Sequence, residues 1–133
     1  IQYPIYVVGN WSENFRNKYI KYPQIIFCGI VDSLEPYFEN SIFVNPILTG
    51  SGLRTKVLHA YVNKVPVLST RFGAEGCFDG NNNSHIVLFE NGKEFLKNIQ
   101  KYDFKTIAKN GFEYYYQFFN KENLLKIRER IYS

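Results

Sequence analysis

The stretch Ser41–Thr70, SIFVNPILTGSGLRTKVLHAYVNKVPVLST, predicts the central unit of the fold. It contains an apolar run at Ile42–Val44, a loop with two glycines, a helical segment at Leu53–Lys64 and a second apolar run at Pro66–Leu68. Both apolar runs are short and unalternating, which is typical of strands buried on both faces of a parallel sheet. A strand, a helix and a strand at this spacing predict a right-handed crossover between parallel strands.

The same alternation extends in both directions from this stretch. Further strands are predicted at Ile5–Val8, Ile25–Cys28 and Ile86–Phe89, and further helices at Glu13–Lys21, Ser33–Asn40 and Lys93–Tyr102. The sequence therefore predicts one α/β domain over 1–133, with a parallel sheet of about five strands and helices on both sides.

A helical tail is predicted over 103–133. The segment 110–123, NGFEYYYQFFNKEN, is expected to interrupt it, and Asn120 is a plausible N-cap for a last helix that runs to Ile131. Six apolar residues of this tail fall at the spacing of a buried helix face: Tyr115, Phe118, Phe119, Leu124, Ile127 and Ile131. This spacing predicts packing rather than attachment to a membrane surface.

Composition limits the classes of function. The net charge of +4 comes from 16 Lys and Arg against 12 Asp and Glu, without a run of like charges. This balance favours a phosphate-bearing small ligand at least as well as nucleic acid. No apolar run approaches the roughly 18 residues of a membrane span, so any membrane contact is expected to be peripheral. Cys28 and Cys77 lack the neighbouring ligands of a zinc or redox motif and are interpreted as free thiols in a cytoplasmic setting.

The loop Pro46–Gly52 is a candidate anion site. Ligands of open α/β sheets bind at the carboxyl ends of the strands, and glycines before a helix let a phosphate approach unpaired backbone N–H groups. In the following helix Leu53, Val57, Ala60 and Tyr61 form one apolar stripe, whereas Lys56, His59 and Asn63 share another face. Lys56 and His59 could therefore reach a ligand over the first turns, whereas Arg54 lies roughly opposite His59.

Spacing alone leaves a second interpretation open. The loop has neither the third glycine of a dinucleotide-binding motif nor the G-K-[ST] of a P-loop. A flexible turn with a surface lysine is an equally good account of Gly50, Ser51 and Gly52. A single histidine such as His59 is more often structural than catalytic.

The order of the motifs resembles the C-terminal half-domain of GT-B glycosyltransferases, of the group 1 or family 4 type. The resemblance spans about Pro4 to Tyr132 and is sharpest over Gln24–Cys77. It rests on Phe27–Val31, Leu34–Phe38, Val44–Pro46, Gly50–Ala60, Pro66–Thr70 and Gly73–Gly76. It implies a Rossmann-like fold that binds the nucleotide of a sugar donor.

The resemblance also implies a set of donor-binding residues. Gly29, Ile30 and Val31 would lie beside the base, and the amides of Gly50, Ser51, Gly52 and Leu53 beside the diphosphate and sugar. Lys56 would lie near the phosphates and His59 near the ribose, and Thr55 is also assigned to the donor site. Glu75 is included as a donor-binding candidate because it is the nearest remaining acidic residue to this set in a strand-end loop. The alternative is a structural role in which it caps the helical turn that follows. No catalytic residue is identified, but Lys56 is a candidate for stabilising the leaving group.

Two departures from the family pattern affect these expectations. His59 stands where the family has a ribose-binding glutamate, and Thr49, Gly50 and Ser51 stand where many relatives have an earlier acid. A neutral imidazole cannot accept two hydrogen bonds as a carboxylate does. The family's first βα unit and N-terminal acceptor domain are not in the sequence, so the chain is expected to be a fragment that is inactive alone and that self-associates through exposed apolar surface.

The expected activity is transfer of a sugar, with retention of configuration, from a nucleotide diphosphate to a glycan or lipid-linked acceptor. The resemblance implies no metal and no nucleic-acid partner, and suggests polysaccharide biosynthesis in the cytoplasm or at the inner face of the membrane. A composition rich in Ile, Lys, Asn, Tyr and Phe suggests a bacterial source. A non-catalytic module that binds a partner protein through the crevice or Phe112–Phe119 is the rival. A receiver domain ranks last because Asp32 is the only suitable strand-end acid.

Overall fold

The computed structural model describes residues 3–46, 55–78 and 84–119. The chain divides into two compact units, Ile1–Tyr37 and Phe38–Ser133. Each unit is described by itself.

The first unit contains a parallel pair of strands. Strand β1 (Ile5–Val8) pairs with β2 (Ile25–Gly29), and Ile5 lies opposite Ile25. Helix α1 (Glu13–Lys18) lies between them in sequence and is capped by Ser12, whose Oγ accepts a hydrogen bond of 3.1 Å from the Phe15 N–H. Helix α2 (Glu35–Phe38) follows β2 and ends in the second unit. Both helices are shorter than the sequence predicts.

The second unit contains a parallel three-stranded sheet in the order β3-β4-β5. The elements, in chain order, are β3 (Phe43–Asn45), α3 (Thr55–Val62), β4 (Val67–Ser69), β5 (Val87–Leu88), α4 (Gly92–Lys101) and α5 (Phe104–Phe118). Every strand predicted from the sequence is present within a residue or two of its expected bounds.

Apolar clusters cover both faces of this sheet. Successive side chains of a strand point to opposite faces, and Val67 of β4 belongs to one cluster whereas Leu68 belongs to the other. The first cluster contains the apolar stripe of α3, namely Val57, Ala60 and Tyr61. The second contains Ile107 of α5 and is packed by Phe95 and Ile99 of α4. The predicted α/β class, with parallel strands between helices, is therefore confirmed.

Burial of every strand on both faces is a prediction that the structure corrects. Among the strands in the described residues, only β4 is buried along its whole length, whereas Ile5 and Tyr6 of β1 are 38% and 49% exposed. The described strands form a two-stranded and a three-stranded sheet, so β4 is the one among them with a hydrogen-bonded strand on each side. An apolar run does not encode which strand will lie between two others.

The predicted interruption of the tail is wrong for residues 110–118, because α5 continues through Gly111 to Phe118. A Cβ on Gly111 would lie only 2.8 Å from Cδ1 of Tyr61, so this glycine allows α5 to approach α3 closely. Tyr115 packs against the first cluster as expected, but Phe118 is 47% exposed. The last helix predicted from Asn120 to Ile131 lies outside the described residues.

Candidate functional site

The carboxyl ends of β1 and β2 meet at two glycines. The N–H of Gly9 donates to the carbonyl oxygen of Gly29 at 2.9 Å. Gly29 has a φ of 71°, a left-handed conformation that strains residues with a side chain. Ile30, which follows, is 79% exposed, and Val31 is half-buried. The three residues expected beside the base therefore form an exposed turn at the edge where ligands of such sheets bind.

Trp11 lies at the same edge and was missed as a candidate from the sequence. Its Nε1 lies 3.4 Å from the position that a Cβ on Gly9 would occupy, and its ring stacks on Phe15 at a centroid distance of 4.7 Å. The side chain remains 42% exposed. The single tryptophan of the sequence, two residues after a strand-end glycine, was the signal that could have identified it.

Helix α3 separates its core face from the face expected to bind the donor. Val57, Ala60 and Tyr61 are buried, as the spacing predicts, whereas Thr55 and Lys56 are exposed. Lys56 therefore presents its ammonium on the solvent side of the helix. Gly50, Ser51, Gly52 and Leu53, the predicted diphosphate loop, lie outside the described residues, as does Arg54.

The His59 side chain contacts Phe38. Its imidazole meets the ring of Phe38 edge-on at a centroid distance of 5.2 Å, and the side chain is half-buried. Asn63, on the same helix face, donates from Nδ2 to the backbone oxygen of His59 at 2.9 Å. These contacts orient the last turn of α3, and they give His59 a structural role beside the expected ligand-binding one.

A buried polar network joins the carboxyl ends of β3 and β4. Asn45 Nδ2 donates to the carbonyl oxygen of Gly73 at 3.0 Å and to Ser69 Oγ at 3.3 Å. Ser69 Oγ lies 3.2 Å from the Asn45 carbonyl oxygen and 2.8 Å from that of Thr70. The N–H of Gly73 donates to Thr70 Oγ1 at 3.0 Å. Because buried polar groups are costly unless hydrogen-bonded, this set of bonds fixes the start of the turn that follows β4.

Gly73 is required by this network. A Cβ at this position would lie 2.7 Å from Asn45 Nδ2 and 2.8 Å from Ser69 Oγ. Sequence reasoning did not select Asn45, Ser69 or Thr70. The available signal was the polar residue at the end of each apolar strand, Asn45 after β3's apolar run and Ser69 after that of β4.

Glu75 belongs to the turn held by the network. Its side chain is exposed, and its backbone N–H donates to the carbonyl oxygen of Phe72 at 3.2 Å. Arg71, in the same turn, is exposed and places its guanidinium 5.8 Å from the centre of the Phe78 ring. Of the predicted donor-binding residues, the second unit contains Thr55, Lys56 and His59 on α3 and Glu75 in the turn after β4. The first unit contains Gly29, Ile30 and Val31.

Cys28 and Cys77 are reduced, as expected. A hydrogen bond between Cys28 and Tyr37 is the main cause that raises the pKa of the Tyr37 hydroxyl above its usual value of 10.0. Tyr37 therefore remains protonated and uncharged at neutral pH.

Within 3–46, 55–78 and 84–119, no group of three or more His, Cys, Asp or Glu side chains is arranged to hold a metal ion. No helix in these ranges is long and apolar enough to cross a membrane.

The fold is that of a Rossmann-like α/β half-domain, and comparison with known proteins identifies its family. Residues 2–102 match the family described as "Glycosyl transferases group 1". The match covers most of the chain, which therefore belongs to the group 1 glycosyltransferases. The resemblance inferred from the motifs is confirmed.

The chain is also similar to a Klebsiella pneumoniae protein described as "Uncharacterized 44.6 kDa protein in cps region". The two are 36% identical over 83 residues, which cover 59% of this chain and 21% of that protein. The chain thus spans about a fifth of the length of this relative.

Proposed function

We propose that the chain is the donor-binding part of a glycosyltransferase, of hexosyltransferase type, that uses a nucleotide diphosphate sugar. The observation that supports this most directly is the position of Lys56 in a chain of this family. Its ammonium is exposed on the first turn of α3, directly after the loop expected to receive the diphosphate. An ammonium near that loop is suited to bind the diphosphate, which is negatively charged both before and after the sugar is transferred.

Lys56 then has a role in the reaction as well as in binding. Cleavage of the bond between the sugar and the diphosphate leaves additional negative charge on the leaving phosphate. A fixed positive group that interacts more strongly with this developing charge than with the intact donor lowers the barrier. Lys56 is the candidate for this group, and the reaction is proposed to proceed with retention and without a bound metal.

The base is proposed to bind at the Gly9 and Gly29 edge of the first unit. The exposed turn Gly29–Val31 offers backbone groups for hydrogen bonding, and Trp11 offers an aromatic ring whose exposed part can contact a planar base. His59 is proposed to make one hydrogen bond to the ribose through a ring nitrogen, because a neutral imidazole has one donor and one acceptor nitrogen.

The acceptor is proposed to be a glycan or lipid-linked sugar, bound by a part of the protein outside this chain, and the pathway to be polysaccharide biosynthesis at the cytoplasmic side. The relative described from a cps region supports this assignment.

Isothermal titration tests donor binding. The chain is titrated with uridine, guanosine and adenosine diphosphates, and then with the corresponding nucleosides as matched controls without phosphate. We expect saturable binding of one diphosphate and at least tenfold weaker binding of its nucleoside. Equal affinity for diphosphate and nucleoside would contradict a site built around the diphosphate.

A second candidate is a non-catalytic module that binds a partner protein. The contact between His59 and Phe38 favours it, because it gives His59 a structural reason to replace the family's glutamate. This candidate predicts that none of the three diphosphates binds.

A further inference from the structure

A groove of about 550 Å³ lies between the end of α3 and the exposed side of α5. It is lined by Lys64, Lys105, Ala108, Lys109, Phe112 and Glu113. The three lysine side chains are exposed, whereas Ala108 is 8% exposed and forms an apolar floor. With one carboxylate among its lining residues, the groove has an excess of positive charge.

The groove lies away from the proposed donor site. Helix α3 follows β3 and precedes β4, so it runs back from the carboxyl ends of the strands to their amino ends. Lys64 comes after the end of this helix and shortly before Val67, the first residue of β4. The groove is therefore at the amino edge of the sheet, opposite the edge formed by Asn45 and Ser69.

The backbone around Lys64 holds its side chain at this place. The N–H of Lys64 donates to the Tyr61 carbonyl oxygen at 3.1 Å, and that of Val65 to the Ala60 carbonyl oxygen at 2.9 Å. This pair of bonds is a Schellman motif, in which the residue with positive φ is usually glycine. Lys64 occupies that position with a φ of 58°. Its Nζ lies 4.9 Å from the centre of the Phe112 ring, a cation–π contact that fixes one wall of the groove.

We propose that this groove is a second binding site, for a phosphate-bearing group, separate from the sugar-nucleotide donor site. A phosphate oxygen can accept a hydrogen bond from each ammonium, and the concave floor excludes part of the water that would screen these charges. Glu113, the one carboxylate among the lining residues, weakens the attraction for an anion. The phosphate can belong to a soluble molecule or to a lipid headgroup.

The first test is an amide NMR titration of the chain with inorganic phosphate at low salt. The signals of Lys64, Lys105, Ala108, Lys109 and Phe112 are followed. We expect saturable shifts of these signals, and about fivefold weaker binding when Lys105 or Lys109 is replaced by glutamine. Glu113→Gln is expected to strengthen phosphate binding. Removing a positive charge and removing the negative charge of the groove should therefore have opposite effects on affinity.

The second arm uses vesicles of phosphatidylcholine with or without phosphatidylglycerol. The variant Lys64→Gln/Lys105→Gln/Lys109→Gln is compared with Lys93→Gln/Lys97→Gln/Lys101→Gln, which removes the same charge from exposed positions of α4. A soluble ligand is indicated by phosphate shifts without vesicle binding. A lipid headgroup is indicated by binding to anionic vesicles that the groove variant loses and the α4 variant keeps.

Two results would overturn the proposal. One is the absence of both phosphate shifts and binding to anionic vesicles. The other is an equal loss of binding in the two triple variants, because that would mean diffuse attraction by surface charge. Neither result bears on nucleotide binding, which depends on residues at the opposite edge of the sheet.

Discussion

The side-chain amide of Asn45 donates to the carbonyl oxygen of Gly73 across 3.0 Å, and this bond links the end of β3 to the turn that follows β4. Asn45 is 5% exposed, and the residue after it, Pro46, begins the loop expected to bind the diphosphate. The turn that contains Glu75 is therefore anchored to the strand that precedes the proposed donor loop.

Replacing Gly73 by alanine is expected to destabilise the chain by about 1–3 kcal/mol, because the added Cβ would lie 2.7 Å from Asn45 Nδ2. The free energy of unfolding in urea measures the effect. Gly92→Ala is the matched control, since a Cβ there meets nothing within 4 Å and position 92 begins helix α4. Equal stability of the two variants would show that the network accommodates a methyl group.

Replacing Gly111 by alanine tests the contact between α3 and α5. Alanine normally stabilises a helix relative to glycine, by roughly 1 kcal/mol. Here the new Cβ would lie 2.8 Å from Tyr61 Cδ1 and 3.3 Å from the backbone oxygen of His85. We expect a lower melting temperature than that of the unchanged chain. A higher melting temperature would mean that the two helices separate at little cost.

The sequence allowed the fold class to be predicted because the signals are local. Apolar runs located every strand, and helical spacing correctly selected Val57, Ala60 and Tyr61 as the buried face of α3. The course of the tail was not predictable in the same way. Glycine has a low helix propensity, so Gly111 locally indicates the end of a helix. Its role instead depends on the ring of Tyr61 in α3, which is distant in sequence and leaves no room for a Cβ at position 111.

Replacing Lys56 by glutamine tests the proposed contact with the diphosphate. Loss of the ammonium is expected to weaken nucleoside diphosphate binding by about tenfold, while binding of the corresponding nucleoside stays unchanged. Titration calorimetry measures both. Lys97→Gln, on the exposed side of α4, removes the same charge and should leave both affinities unchanged. If it weakens binding equally, net charge rather than Lys56 is responsible.

Replacing His59 by glutamate restores the residue that the family has at this position. A carboxylate can accept hydrogen bonds from both ribose hydroxyls, so we expect about tenfold tighter binding of the ribonucleoside diphosphate. The dideoxy analogue, which has neither hydroxyl, should not gain affinity, and His59→Gln serves as the uncharged control. An equal gain for both nucleotides would place His59 away from the ribose.

Acid stability is expected to depend on Asp103, the N-cap of α5. Its carboxylate accepts hydrogen bonds from Thr106 Oγ1 at 2.9 Å and from the Lys105 N–H at 3.1 Å. The bond from the Thr106 side chain is the largest cause that lowers the pKa of Asp103 below its usual value of 3.8.

Because the folded pKa is lowered, the stabilisation is present above the unfolded pKa and is lost as the pH falls through the folded value. Melting temperatures of the chain and of Asp103→Asn are compared from pH 6 to about pH 2.5. The difference between them should shrink below about pH 4. A constant difference would contradict this role of the carboxylate.

The candidate site could be predicted only in part. Lys56 and the turn at Gly29 were identified because a glycine-rich loop and a strand end are visible in the sequence. The network of Asn45, Ser69 and Gly73 was not, because it joins residues that are 24 and 28 positions apart. Such pairings depend on strand order, which composition and periodicity do not specify.

The most direct test of the proposed donor site is an amide NMR titration of the chain with uridine, guanosine and adenosine diphosphates. We expect saturable shifts at Gly29–Val31 and at Thr55–His59 for one of the three nucleotides. The absence of shifts at both segments with millimolar nucleotide would contradict the assignment of the donor site to this chain.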